Sequence, residues 1–370
     1  MRLEHRICAI GTLGWLSVWS SGCGGTPRHA VEKPTVDDAP VAVRDGQHDF
    51  DFNLGVWKTE IHRLVKSPAG VKSWVTLTGT VTINAVWNGR GEVEEVEADG
   101  PTGHFEALTM FLYNPKSHQW NLNFANSSDG MLTAPSIGEF NAGRGEFYDH
   151  ETIGGKAVFV RQVWSDITPN SHRFEQALSS DGGRTWEPNF NAMLTRAKPG
   201  EAHPPTEVAG TPRSPDFDWE LGTWKVQMSR LEHPLAGSNA WVKLDGTVAA
   251  RPLWGGRANL AEIEVDGADG RHLEFLSLRL YNPKSHQWSL NFASSSNGTF
   301  GVPLFGEFAH GRGEFYDQEP YDDRSILVKF VFSDATADSS RDEQAFSTDG
   351  GKTWEVNWIN KLTRIKAARE

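Results

Sequence analysis

The chain has 370 residues, of which 38% are hydrophobic and 23% charged, ample for one or two packed cores. Lys and Arg total 36 against 48 Asp and Glu, and the resulting charge of −12 excludes any general attraction for nucleic-acid phosphates. The 37 Gly, 15 Trp and 20 Phe against 5 Tyr fit turns between strands that bury rings.

The N-terminus reads as an address. Arg2 and Arg6 precede an uncharged apolar stretch from Ile7 to Trp19, too short to span a bilayer, which needs about 20 residues in a helix. With the small residues Ser20, Ser21 and Gly22 this predicts a signal peptide over 1–22. The run ends in Cys23 and so resembles the bacterial lipobox, in which the Cys receives lipid after cleavage. The only cysteines are Cys8 and Cys23, and cleavage removes Cys8, so the mature chain can form no internal disulfide. Gly24 after the Cys implies, by the same resemblance, an outer-membrane lipoprotein facing the periplasm. Residues 23–46 are expected to be a flexible, lipid-attached tether.

The rest of the chain is written twice. FDFNLGVWK (Phe50–Lys58) returns as FDWELGTWK (Phe217–Lys225), and YNPKSHQW recurs unchanged at Tyr113–Trp120 and Tyr281–Trp288. GRGEFYD, S-x-DGG-x-TWE and LTR follow in the same order in both copies. The offset is 167 early and 168 late, as Trp57/Trp224 and Trp120/Trp288 show, so one residue was gained near Gly103/Gly270. A period this long marks a duplicated domain rather than a solenoid or propeller repeat. The expected units are 47–197 and 216–366, joined by a Pro-rich linker over 198–215.

Each unit reads as all-β. Val75–Ile83 is β-branched and alternating, and Leu108–Tyr113, Trp120–Ala125, Ala157–Val163 and Phe174–Ser179 continue the pattern between turn sequences such as NGRG, NPKSHQ and SDGG. Eight to ten strands per unit can form a sandwich or a closed barrel, and closure removes exposed edges. Each copy opens with Gly-x-Trp (Gly55, Trp57; Gly222, Trp224) and closes on Arg196 or Arg364. This pattern resembles the lipocalin and calycin superfamily, in which an early Trp closes the barrel floor and a late Arg packs over it. Together with FDFxLGxW, YxPxxxxW and SxDGGxTWE, it is similar to a bacterial calycin-like domain family of unknown function. The resemblance implies two tandem antiparallel lipocalin-like β-barrels and no particular reaction.

Asp181 and Trp186, with Asp349 and Trp354, match the Asp-box hairpin, and one box per 168 residues argues for a structural role rather than a sialidase. His118 and His286 sit in turns, and with His104 and His272 they are the only recurring histidines, so neither a metal centre nor haem is expected and no cofactor is predicted. Glu95 and Glu97, matched by Glu262 and Glu264, lie on one strand face; Glu106 and the Arg173–Glu175 and Arg341–Glu343 pairs also recur. The candidate ligand-binding set is Trp74, Trp87, Glu95, Glu97, Asn123 and Glu175, with Trp241, Trp254, Glu262, Glu264, Asn291 and Glu343 in the second copy. The leading expectation is a binding module for a small apolar or amphipathic molecule. The alternatives are an envelope hydrolase acting on glycan or lipid through paired carboxylates, and a structural or interaction protein of the envelope.

Overall fold

The computed structural model describes residues 44–66, 70–198, 200–201 and 213–366. The signal peptide, Cys23, all but the last residues of the tether and most of the linker lie outside the described residues. The β-branched and aromatic runs form long strands because such side chains pack well on a pleated surface. In the first copy these are β1 (Gly55–Lys66), β2 (Lys72–Val86), β3 (Gly91–Gly100), β4 (Gly103–Asn114), β5 (Gln119–Asn126), the two-residue β6 (Met131–Leu132), β7 (Ser136–Asn141), β8 (Arg144–Ile153), β9 (Lys156–Ser165), β10 (Ser171–Ser179) and β11 (Glu187–Arg196). The second copy repeats them as β12 (Gly222–Leu231), β13 (Trp241–Leu253), β14 (Ala258–Gly267), β15 (His272–Asn282), β16 (Gln287–Ser294), β17 (Thr299–Phe300), β18 (Leu304–Ala309), β19 (Arg312–Tyr321), β20 (Arg324–Ser333), β21 (Ser339–Ser347) and β22 (Glu355–Arg364).

Every pairing is antiparallel, and each copy is an up-and-down meander that closes when β1 meets β11 and β12 meets β22. The pairings β4–β5 and β15–β16 complete the circles, so the protein is two tandem ten-stranded barrels. β6 and β17 are short flaps on β5 and β16.

One end of each barrel is packed shut. Trp57 and Trp224 are fully buried, and their indole N–H groups donate to the carbonyls of Asn53 and Glu220. The guanidinium of Arg196 lies 4.1 Å over the Trp57 ring, and that of Arg364 lies 4.0 Å over Trp224. Arg196 also donates to the carbonyls of Leu54, Phe52 and Pro169, and Arg364 to those of Leu221, Trp219 and Ala337. Gly55 and Gly222 make room for these cations. Each has φ above +110°, and a Cβ on Gly55 would sit 2.8 Å from Arg196 Nη1. Phe50, Phe111, Trp120, Phe147 and Trp164 in the first barrel, and Phe217, Trp288, Phe315 and Phe332 in the second, fill the space beside this floor.

The two barrels share one apolar core. Val93, Leu108, Met110 and Leu112 of β3 and β4 join Leu260, Leu276, Leu278 and Leu280 of β14 and β15, with Trp87 and Trp254 among them. Polar contacts cross this core in matched pairs. Arg90 bonds the Glu274 carboxylate, and Arg257 bonds that of Glu106. Asn121 donates to the Gly298 carbonyl, and Ser289 donates to that of Gly130. Residue i touches j′ and residue i′ touches j, the signature of a two-fold interface made within a single chain. Gly130 and Gly298 come so near the opposite barrel that a Cβ would lie 2.3 and 2.0 Å from the carbonyl oxygens of Tyr281 and Tyr113.

Candidate functional site

The end of each barrel opposite the Trp–Arg floor is not filled. The first barrel encloses about 390 Å³ and the second about 320 Å³. Both volumes fall within the range of small-molecule pockets. The first cavity runs from buried His172 up to exposed Thr133 and Glu151; the second ends at exposed Gly301 and Val302. The Asp-box hairpins connect β10 to β11 and β21 to β22 at this same end.

Strand parity decides which side chains reach the cavities. On β3, Glu94 and Val96 face inward, so Glu95 and Glu97 face outward. On β4, Phe105, Ala107 and Thr109 line the cavity while Leu108 and Met110 pack on the second barrel. On β8, Asp149 and Glu151 point inward; on β10, so do Phe174 and Gln176. The second barrel repeats this with Ile263, Phe275, Asp317, Glu319, Asp342 and Gln344. Aromatic faces recur: Phe124, Phe174 and Phe190 in the first cavity, and Phe292, Phe330 and Trp358 in the second.

None of the twelve ligand-binding residues expected from sequence lines either cavity. Trp87 and Trp254 are buried between the barrels, where the Trp254 indole N–H donates to the Ala107 carbonyl. Glu95 accepts from the Trp254 backbone N–H, and Glu262 from that of Trp87. Asn123 and Asn291 lie on the strand face opposite the cavity, bonded to the carbonyls of Thr133 and Leu278. Trp74 and Trp241 are outward and exposed. Glu97 and Glu264 also face outward, Glu264 with its carboxylate in solvent. Glu175 meets Arg161 and Arg173, and Glu343 meets Arg341, on the outer surface. Glu106, a further candidate for paired-carboxylate chemistry, is held by Arg257 inside the interface. None of these carboxylates lines a cavity.

In the Asp-box turns, Asp181 Oδ1 accepts the N–H groups of Arg184 and Thr185, and Asp349 Oδ1 those of Lys352 and Thr353. These bonds hold both carboxyls down at about 2. Trp186 and Trp354 pack outside the barrels against Arg161 and Lys329. His118 and His286 occupy left-handed turns, with φ of 57° and 59°, and each ring bonds the preceding Tyr hydroxyl.

The side chains that sequence reasoning missed are the inward carboxyls. Burial pushes Glu94 up to about 7, although the Thr109 hydroxyl donates to it at 3.0 Å. Burial likewise raises Asp149 and Glu151, and lifts Asp317 and Asp342 to about 7. Glu92, buried beside Asn53, is pushed well above the usual carboxylate range. The second copy replaces that pair with Glu220 and Asn259 and adds Arg279, which bonds both. His172 has neither ring nitrogen bonded, and burial lowers it to about 4. Among the described residues, no group of three or more His, Cys, Asp or Glu is placed to hold a metal ion.

A raised carboxyl has a sign-definite effect on stability. Asp342 binds its proton more tightly folded than unfolded, so its contribution is full below pH 4 and is lost as pH rises through about 7. Asp342→Asn removes that loss. It is expected to stabilise the protein at pH 8 by about 2–3 kcal/mol, and to leave it nearly unchanged at pH 4. Urea unfolding at the two pH values checks this; equal effects at both would contradict it.

No protein-family model matches the chain, and no curated protein is found to match it. Among solved structures, it is similar to a protein of unknown function from the DUF3598 family of Nostoc punctiforme. The identity is 12%, over 87% of this chain and all of that one, with a TM-score of 0.23. A single-site mutant of the vaccine antigen Transferrin Binding Protein B from Haemophilus parasuis is 8% identical over 83% of this chain and 76% of that one, with a TM-score of 0.20. Likenesses this slight carry no argument about what the chain does.

Proposed function

We propose that this chain is an exported, lipid-anchored protein of the bacterial envelope that binds a small apolar or amphipathic molecule in each barrel. The observation that carries the binding reading is the pair of cavities, each closed at the Trp–Arg floor, walled by aromatic rings and open at the far end. A barrel of this size can hold one small ligand. The address rests on Arg2, Arg6, the apolar run and Cys23. The hydrolase alternative loses its residues, because Glu95, Glu97, Glu106 and Glu175 all stand away from the cavities.

A neutral fluorescent probe, N-phenyl-1-naphthylamine, tests the site. Its emission should rise saturably on titration into the intact chain, with two probes bound per chain. Ala192 lines the first cavity on β11, and Ala192→Trp fills it. That variant should bind one probe and still unfold cooperatively. Two probes bound to the folded variant, or no saturable binding to the parent, would overturn the reading.

A further inference from the structure

The second cavity is lined by five charged or titratable side chains: Glu220, Arg279, Asp317, Glu319 and Asp342. Its one cation, Arg279, is already held by both carboxylate oxygens of Glu220 and lies over the rings of Phe217 and Phe332. Three carboxyls remain that no Lys, Arg or His ion-pairs among the described residues. Asp342 is 8% exposed; its Oδ2 accepts from Asn360 at 3.2 Å, and its buried Oδ1 has no protein partner. Asp317 Oδ1 is likewise buried and unpartnered. Two aromatic pairs line the same space: Phe275 with Trp358 at 5.5 Å and Phe292 with Phe330 at 5.3 Å between centroids.

The first cavity repeats the arrangement. Its charged or titratable lining is Arg63, Glu94, Asp149, Glu151 and His172. Arg63 lies 5.5 Å from the Phe105 ring centroid and pairs with none of the three carboxyls. Asp149 and Glu151 occupy the positions of Asp317 and Glu319, and Asp149 Oδ1 is again without a partner.

A buried carboxyl with no cation beside it is costly to ionise, and a ligand that brings the cation removes that cost. Aromatic faces attract the same kind of ligand through their negative π surfaces. An anionic ligand would be repelled, and a purely apolar one would leave the Asp342 and Asp317 oxygens unmatched. Resting on the binding reading above, we infer that both barrels take an organic cation, an amine or quaternary ammonium carried on an apolar body, with Asp149 or Asp317 and the neighbouring inward carboxyls facing its charge.

Calorimetric titration of the intact chain with three probes of equal chain length, the two ionic ones below their micellar concentrations and decanol below its solubility limit, separates the outcomes. Decyltrimethylammonium should bind about tenfold or more tightly than decanol, and decanoate more weakly than either. The cation's affinity should climb by about tenfold or more from pH 5 to pH 8, because its binding expels protons from the inward carboxyls, while decanol's stays level. The double variant Asp317→Asn with Asp342→Asn should lose the preference at one of the two sites. Equal binding of decanol, or tighter binding of decanoate, would overturn the cation assignment and leave the binding reading intact. No heat from any of the three would overturn both.

Discussion

Replacing Arg257 by Ala should lower the stability of the protein by about 3–5 kcal/mol, because it strands Glu106 where water does not reach. Only 7% of the Arg257 side chain and 4% of the Glu106 side chain are exposed, and both carboxylate oxygens accept from the guanidinium, while His104 Nε2 stands farther off at 3.8 Å from Oε1. The symmetry mate supplies the control. Arg90 makes the same bonds to Glu274 but is 29% exposed, and Ser295 also donates to that carboxylate. Arg90→Ala should therefore cost clearly less. Urea unfolding of both variants checks the order, and equal losses would contradict the interface as described. The shared core adds a second expectation, that the barrels melt in one transition rather than two.

Removing an indole from a barrel floor should have an effect of the same size. Trp57→Ala empties a site with no solvent exposure and takes away the ring beneath Arg196, for an expected loss of about 3–5 kcal/mol. Trp224→Ala should do the same in the second copy, where Arg364 lies over the ring. Trp74→Ala, on the exposed outer face of β2, should change stability by no more than about 0.5 kcal/mol. A floor substitution as mild as the outer one would mean that the Trp–Arg stack does not hold the barrel closed.

The repeat, the all-β class and the closed barrels were legible because they rest on signals that a single sequence carries: matched motifs, alternating strands and turn residues. The lining of the cavities was not. Period-2 alternation divides a strand into two faces and does not say which one is inside. On β3 the usual tie-breaker fails, because both faces are buried: Val93 packs on the second barrel while Val96 lines the cavity. On β10 and β21 the inward side chains include Gln176, Asp342 and Gln344, so polarity pointed the wrong way and made outward Glu175 and Glu343 look like site residues. A signal for the inter-barrel face was present. Ala107–Tyr113 is a nearly continuous apolar run broken only by Thr109, the pattern of a strand covered on both sides, whereas its counterpart in the second copy is interrupted by Ser277 and Arg279. Trp87 and Trp254 belong to that face, which is why rings beside Gly-rich turns proved to be buried.

Native mass spectrometry of the full protein recovered from the membrane fraction of its own cells tests both the lipid on Cys23 and the occupancy of the barrels. Two kinds of excess mass are expected. One survives denaturation and corresponds to lipid on Cys23; the other, a small molecule held in the barrels, is released on denaturation. A native mass equal to the denatured mass, in a protein that also binds none of the probes, would contradict the claim that these barrels are binding sites.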